Sequence, residues 1–375
     1  MRTLNRVLGP IPAFDTVNRH ELWNLNNCLN RPLSGYLGGI HKGGYWVEKL
    51  IADWCGAFRV KNAIPCNSAT SGILAAFMAI GIGAGDEVWA PVTSMSATAA
   101  PAKILGANVR FLDIEDTRFS ISLLNLGLSK HIPIMPKALI VTNLFGHPAC
   151  LRNIREWCDQ NKVWMIEDNA QSILASEGNQ YAGTVGHIGV FSLNVHKHLS
   201  TGEGGVVVTD DPGLALKVYD AINHGELRQG ITGLNLRMTE PTAALAVAQL
   251  SKVGGIVAER RELAEEMTAM VKNIPWVEPP IEGKDCIHVY YIWAAKVTKG
   301  SRHEFVESLV RHGLPMNAGY SPLLNRVFKS GGSYPVAERM EDRELITFDI
   351  CSYSPTKEQR KIMWEIFDLA GSKLS

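Results

Sequence analysis

Between residues 56 and about 250 the chain alternates short apolar, β-rich runs with longer stretches of helical spacing. The β-rich runs are Glu87–Val92, Val109–Ile114, Ala138–Asn143, Val163–Glu167, Gly189–Leu193 and Val206–Thr209. The helical ones are Ser71–Ile80, Ser96–Leu105, Leu151–Asn161 and Pro212–Ile222. Strands that are apolar along most of their length are expected where helices cover both faces of a sheet. Their alternation with helices predicts a largely parallel α/β sheet.

Near residue 250 the rhythm changes. A helix over Glu240–Leu250 closes the first part, and a second is expected over Val257–Lys272, with Arg260, Arg261, Glu262, Glu265 and Glu266 on its solvated face. A break at Pro275, Pro279 and Pro280 leads into an aromatic strand, Ile287–Val297, and then helices Glu304–Arg311 and Lys357–Leu369. The expected division is therefore a large α/β domain over 1–250 and a smaller α+β domain over 251–375. The first fifty residues read as irregular, and the glycine-rich run at 35–44 reads as a flexible loop. There is no internal repeat and no low-complexity segment.

Composition narrows the function classes. The 37 basic and 37 acidic residues balance, which gives no electrostatic case for binding nucleic acid or an anionic membrane. It also does little to keep monomers apart. Seven scattered cysteines without a C-x-x-C pair argue against a disulfide framework or structural zinc, and for a reducing cytoplasm. The first residues lack the apolar core of a secretion signal. The most apolar stretch, Ile73 to Ile82, is too short to span a membrane.

Three polar clusters fall at the carboxyl ends of strands, where open α/β sheets bind ligands. The first, Asn67-Ser68-Ala69-Thr70-Ser71-Gly72, precedes an apolar helix. Small residues let the backbone approach a ligand, and the first turn of a helix offers N–H donors to a phosphate. Ser and Thr are also ordinary helix caps, and a cap alone explains this cluster. The second is the acid-tipped strand Val163–Glu167 with Asp168, Asn169, Ala170 and Gln171. A carboxylate there can keep a pyridine nitrogen protonated, but it can equally bind a metal or cap a helix. The third runs from Phe191 through Ser192 and Lys197 to Gly205. A lysine whose surroundings lower its pKa can attack a carbonyl, although most lysines are surface charges. His196 and His198 do not face each other on a helix, so they do not make a metal pair.

In this order the clusters resemble a known family, the sugar aminotransferases of the DegT/DnrJ/EryC1/StrS type. The shared motifs are G-Y-W-V-E-K-L at 44–50, N-S-A-T-S-G at 67–72, G-I-G-A-G-D-E-V at 81–88 and A-P-V-T-S-M-S-A-T at 90–98. They continue with I-E-D-N-A-Q at 166–171, F-S-L-N-V-H-K-H-L-S-T-G-E-G-G at 191–205 and G-L-N-L-R-M-T-E at 233–240. The resemblance implies the type I fold of pyridoxal-phosphate-dependent transferases. Lys197 would hold pyridoxal 5'-phosphate as a Schiff base and then move the proton between substrate and cofactor, which passes through its pyridoxamine form. Asp168 would pair with the pyridine nitrogen, and Gln171 would lie near the phenolic oxygen. Ala69, Thr70 and Ser192 would bind the phosphate, joined by Asn235 from the neighbouring subunit of a homodimer.

Two departures stand out. Met95 occupies the position where the family usually stacks an aromatic ring on the cofactor, and a thioether covers a ring less rigidly. Asn194-Val195-His196 replaces the commoner N-P-T before the lysine. His196 is expected to pack or hydrogen-bond behind the ligand-touching residues, with substrate contact as the alternative. Specificity is expected in loops 30–45, 224–237 and 315–330, which makes His224, Arg237 and Tyr320 candidates for substrate contact. The implied reaction passes an amino group from glutamate or a similar donor to a keto sugar, nucleotide-linked or free, or to a cyclitol ketone. The family's sugar dehydratases carry histidine in place of the lysine, so Lys197 argues for a transaminase. A non-enzymatic regulator of this fold would have lost the lysine or the aspartate.

Overall fold

The computed structural model describes residues 7–33, 43–128, 134–225 and 232–373. Seven strands form the main sheet: β1 (Asn62–Cys66), β2 (Glu87–Pro91), β3 (Asn108–Leu112), β4 (Ala138–Thr142), β5 (Trp164–Asp168), β8 (Ile188–Ser192) and β9 (Gly205–Thr209). Their order is β1-β9-β8-β5-β4-β2-β3. Only β9 runs against the others, pairing antiparallel with both β1 and β8.

Successive side chains in each strand point to opposite faces, and both faces are apolar. Ile140, Ile166 and Val190 share one core with the helices Ala69–Ala79 and Pro212–Ile222. Leu139, Val141, Met165 and Val208 share the other with Tyr45–Phe58, Leu151–Asn161 and the first half of Glu240–Val271. This is the α/β architecture expected for a largely parallel sheet with helices on both sides.

A four-stranded antiparallel sheet follows, with β10 (Val277–Glu278), β12 (Trp293–Val297), β14 (Leu345–Phe348) and β13 (Asn317–Ala318) in that order. Its core contains Trp293, Phe305, Phe348 and Phe367. A short hairpin, β6 (Ser176–Glu177) and β7 (Gln180–Tyr181), pairs with β11 (Cys286–Ile287).

Five expectations need correction, one of them the solvated face read for Arg260, which is fully buried against the carbonyls of Ile350 and Tyr353. The first fifty residues are not all irregular: Arg19–Leu29 is a helix with a capping box in which Asn18 and Glu21 each satisfy the other's backbone. Strand β1 was unforeseen, because Pro65 inside it reads as a strand breaker. The run Ile287–Val297 divides between β11 and β12 at Tyr290, whose φ is 50°. The helices expected at 240–250 and 257–272 are one continuous helix, Glu240–Val271. Gly254 and Gly255 weaken it by about 1 kcal/mol each, but Leu250, Val253, Ile256 and Val257 are buried around them. Most of the expected loop at 35–44 and part of that at 224–237 lie outside the described residues.

The long helix matches a membrane span in length and composition. It packs instead against the helices Arg19–Leu29, Tyr45–Phe58 and Lys357–Lys373, burying Ala243, Val247, Leu263 and Met267 among others.

Two buried histidines tie the segment 283–291 to the main domain, and a third, His288, braces the segment from within. His198 Nε2 donates to the Val289 carbonyl at 2.9 Å. His147 Nε2 accepts from the Gly283 N–H at 3.2 Å, and His288 Nδ1 accepts from the Tyr290 N–H at 3.1 Å. Burial pushes His147 and His198 down to about 4 and His288 well below its ordinary 6.5. All three are neutral in the folded chain, whereas the unfolded chain protonates them below 6.5. The stability they provide is complete above pH 6.5 and is lost as pH falls towards 4, by up to about 1.4 kcal/mol per pH unit for each residue. Urea midpoints should therefore drop between pH 7 and 5 in the wild type. Replacing His288 with Gln should make that drop shallower.

Candidate active site

The cavity forms because four strands end at the same level. Register aligns Thr142 of β4 with Asp168 of β5, Asp168 with Val190 of β8, and Gly205 of β9 with both Ser192 of β8 and Cys66 of β1. Along this edge opens a cavity of about 390 Å³, lined by Ala69, Thr70, Met95, Asp168, Gln171, Ser192, His196 and Lys197, and also by Thr142 and Tyr291. A hollow of about 470 Å³ lies at the opposite strand ends, among Arg155, Trp164, His187 and Asp210. No lysine lines it, and the helix start there, at Pro212, has Asp211 as its own cap, accepting from the Leu214 N–H at 2.9 Å.

At one end of the cavity stands the N-terminus of the helix Ala69–Ala79. Ser68 caps it, its hydroxyl accepting from the Ser71 N–H at 3.1 Å. The cap leaves the N–H groups of Ala69 and Thr70 facing the cavity without a protein acceptor among the described residues. Gly205 makes the close approach possible: a Cβ there would lie 2.6 Å from the Ser68 carbonyl carbon and 2.7 Å from the Ala69 nitrogen. Both the capping and the anion-binding properties of the cluster are thus present in the same turn.

Asp168 is buried at the tip of β5. Its Oδ2 accepts from the Thr98 hydroxyl at 2.6 Å and its Oδ1 from the Ala170 N–H at 3.2 Å. Because Thr98 spends its proton on Asp168, Ser94 must donate to Thr98 across 2.7 Å. Thr142 in turn donates to Ser94 at 3.4 Å. Three hydroxyls in series point their protons towards one carboxylate, an arrangement that favours its ionised form. Burial pushes the carboxyl up, and Thr98, Ala170 and the charge of Lys197 work against that rise.

Lys197 follows a turn in which its N–H donates to the Asn194 carbonyl. Its Nζ lies 4.2 Å from the centre of the Tyr291 ring, a cation–π arrangement. Burial lowers its pKa, against the attraction of Asp168 and Asp349. Gln171 is fixed on both sides: its Oε1 accepts from the Phe145 N–H at 2.8 Å, and its Nε2 donates to the Tyr320 hydroxyl at 2.8 Å. Tyr320 also meets Phe145 edge-on, and burial lifts its hydroxyl to about 12. Tyr320 is therefore tied to Gln171 instead of lining the cavity.

Met95 lies 59% exposed at the cavity rim beside His196. His224, Asn235 and Arg237 do not line the cavity of their own chain. Asn235 is exposed and bridges Asn223, to which Arg237 donates at 2.9 Å. The hydroxyl chain and Tyr291 were not foreseen. The run Thr93, Ser94, Ser96 and Thr98 carried a signal for the hydroxyls, since so many in six positions beside a strand end need acceptors. Tyr291 arrives through tertiary packing: a Cβ on Gly146 would sit 2.7 Å from the backbone nitrogens of both Tyr290 and Tyr291.

An amine of lowered pKa, a carboxylate supplied with donors and an open helix start around one cavity define an aminotransferase. The chain belongs to the DegT/DnrJ/EryC1/StrS aminotransferase family, whose model matches residues 38–364. It is 29% identical over 288 residues to a GDP-perosamine synthase of Escherichia coli O157:H7, covering 75% of this chain and 76% of that one. An aminotransferase structure from Psychrobacter cryohalolentis superposes with a TM-score of 0.87 at 22% identity, over 97% of this chain and 100% of the other. A GDP-4-keto-6-deoxymannose-3-dehydratase with a trapped PLP-glutamate geminal diamine shares the fold, with a TM-score of 0.82 at 22% identity over 97% and 100% of the two chains.

The hydroxyl chain makes a testable demand. Replacing Thr98 with Val preserves volume and removes the donor that lowers Asp168. The Asp168 carboxyl should then titrate about one pH unit higher, equivalent to about 1.4 kcal/mol. Carbon-detected NMR of the aspartate carboxyls reads this directly, and an unmoved titration would show that the chain of hydroxyls is not aimed at Asp168.

Proposed function

We propose that this chain moves an amino group from an amino-acid donor, L-glutamate, to the ketone of a nucleotide-linked sugar, with pyridoxal 5'-phosphate as its cofactor. The observation that carries the reading is a single cavity joining the Lys197 amine, the Asp168 carboxylate and the open N–H groups of Ala69 and Thr70. An aldehyde, a pyridine nitrogen and a phosphate on one ligand require those three partners.

Lys197 would hold the cofactor and then carry the proton at the substrate carbon. Asp168 would face the pyridine nitrogen, and Gln171 the phenolic side. Ser192 would join Ala69 and Thr70 at the phosphate, while Met95 would cover one ring face. The bound cofactor supplies an electron sink for the carbon that gains or loses a proton. Burial lowers the Lys197 pKa, which favours the neutral amine that can accept a proton. The Thr142–Ser94–Thr98 chain keeps Asp168 ready to receive a cationic ring nitrogen.

A homodimer with shared sites accounts for the exposed Asn235, which would reach the partner's phosphate. Exposed Trp23, Tyr45, Val195 and Leu234 give such an assembly apolar surface to cover. The seven free cysteines support residence in a reducing cytoplasm. The GDP-linked relative and the glutamate adduct on a neighbour of the same fold support the substrate pair. Lys197 counts against dehydration.

The deciding experiment incubates purified protein with L-glutamate and, separately, GDP-, dTDP- and UDP-linked keto sugars, a free keto sugar and a cyclitol ketone. Amine product and 2-oxoglutarate should form with a nucleotide-linked ketone. Turnover restricted to a free sugar or cyclitol would overturn the nucleotide assignment. A dehydrated sugar without amine product would overturn the transaminase assignment. Lys197→Ala should remove the visible band of the bound cofactor and lower kcat by about 10²–10⁴-fold.

A further inference from the structure

A second carboxylate, outside every sequence motif, stands within electrostatic reach of Lys197. Asp349 follows β14, where register pairs Phe348 with Trp293, two residues beyond Tyr291. One of its oxygens is occupied: Oδ2 accepts from the Ser352 hydroxyl at 2.6 Å. The other, Oδ1, is buried and has no donor among the described residues. Leaving a buried carboxylate oxygen unpaired costs stability, so its retention calls for a partner.

Register locates this carboxylate: it lies one residue beyond the antiparallel Phe348–Trp293 pair, on the side of Tyr291, whose ring centre is 4.2 Å from Lys197 Nζ. Its charge acts on Lys197, on Tyr291 and on Tyr320, all of which border or support the cavity. Its seat is rigid. The fully buried Arg260 donates to the carbonyls of Ile350 at 3.1 Å and Tyr353 at 2.7 Å. The Ser352 N–H closes the turn on the Asp349 carbonyl. Facing this turn, the Lys197 amine meets the Tyr291 ring but no hydrogen-bond acceptor among the described residues.

We propose that Asp349 is a positioning residue for Lys197, its free oxygen receiving the ammonium whenever Lys197 carries a proton. The proposal rests on the proton-carrying role assigned to Lys197 above. A proton leaving substrate carbon converts the neutral amine into an ammonium. Asp349 balances that charge without taking the proton, and Lys197 then returns it. Asp168 cannot serve both purposes once a cationic ring nitrogen occupies it. Ser352 explains only one oxygen of Asp349, so a purely structural turn leaves the other unaccounted for.

The groups facing Lys197 are Asp168 from β5, Tyr291 before β12, Asp349 and Cys351 after β14, and His198 in its own loop. Tyr320 feels both carboxylates, and Arg260 faces Cys351. Burial keeps the Cys351 thiol protonated and His198 neutral. The two aspartates are therefore the anions that hold Lys197 up.

The test compares wild type, Asp349→Asn and Asp349→Glu as cofactor-free full chains. Lys197 is pulse-labelled with acetic anhydride across a pH series, and the modification is quantified by mass spectrometry. Removing the charge lowers the amine's pKa. Half-maximal labelling of Asp349→Asn should move down by about one pH unit, a roughly ten-fold gain in reactive amine at fixed pH, and Asp349→Glu should restore it. In the cofactor-loaded enzyme, the limb of the kcat profile that reports Lys197 should shift in the same direction. Unchanged labelling in Asp349→Asn overturns the proposal even if kcat falls, because a structural role would leave the titration in place. Equal shifts in Asn and Glu overturn it as well. Borohydride trapping of pyridoxal phosphate on wild-type Lys197 tests the preceding reading separately: failure to trap would refute cofactor attachment while the labelling comparison still decides the role of Asp349.

Discussion

The arrangement depends on holding two opposite charges in one cavity without letting either neutralise the other's function. Asp168 is buried at a strand tip, and Lys197 stands half-buried in the turn beyond β8. Burial favours the uncharged form of each, and their mutual attraction favours the charged form. The surrounding structure tips the two differently. Asp168 receives a hydroxyl, a backbone N–H and the remote backing of two more hydroxyls. Lys197 meets a π face and, among the described residues, makes no hydrogen bond through its amine, with the charges of Asp168 and Asp349 acting on it from a distance. Donors thus offset part of the burial that pushes the Asp168 carboxyl up, while burial pushes the Lys197 amine down against charges alone.

That asymmetry follows from the sheet. Parallel strands covered on both faces leave their polar backbone ends only at the edges, and the register brings β1, β4, β5 and β8 to the same edge. Neighbouring Glu167 shows the contrasting use of a carboxylate. Fully buried, it accepts from the N–H groups of Gly183, Val185 and Gly186 and from the Asn143 amide. Every acceptor position faces a protein donor, so Glu167 holds a loop, while its neighbour Asp168 opens into the cavity.

Much of this was legible in the sequence, for reasons particular to each element. The strands of the main sheet were visible because burial on both faces makes them apolar runs. The helix start at Ser68, the acid at Asp168 and the lysine before glycine-rich residues were visible because their chemistry is local. Strand β1 was hidden by Pro65, and the helix Arg19–Leu29 by its mostly polar composition, with Glu21 buried against Lys252 and Gln249. Tyr291 and Asp349 were invisible for another reason. Tyr291 reaches the cavity, and Asp349 its border, from the second sheet, and nothing in their neighbours along the chain announces where the fold will carry them.

The helix Glu240–Val271 ties the two sheets together as a beam about 48 Å long at 1.5 Å per residue. Near its middle lie Gly254 and Gly255, where an added Cβ would meet nothing within 4 Å. No close contact within the chain calls for glycine there. At about 1 kcal/mol each relative to alanine, these two glycines make midspan the intrinsically weakest section of the helix, and it is the burial of Leu250, Val253, Ile256 and Val257 that carries the beam across it.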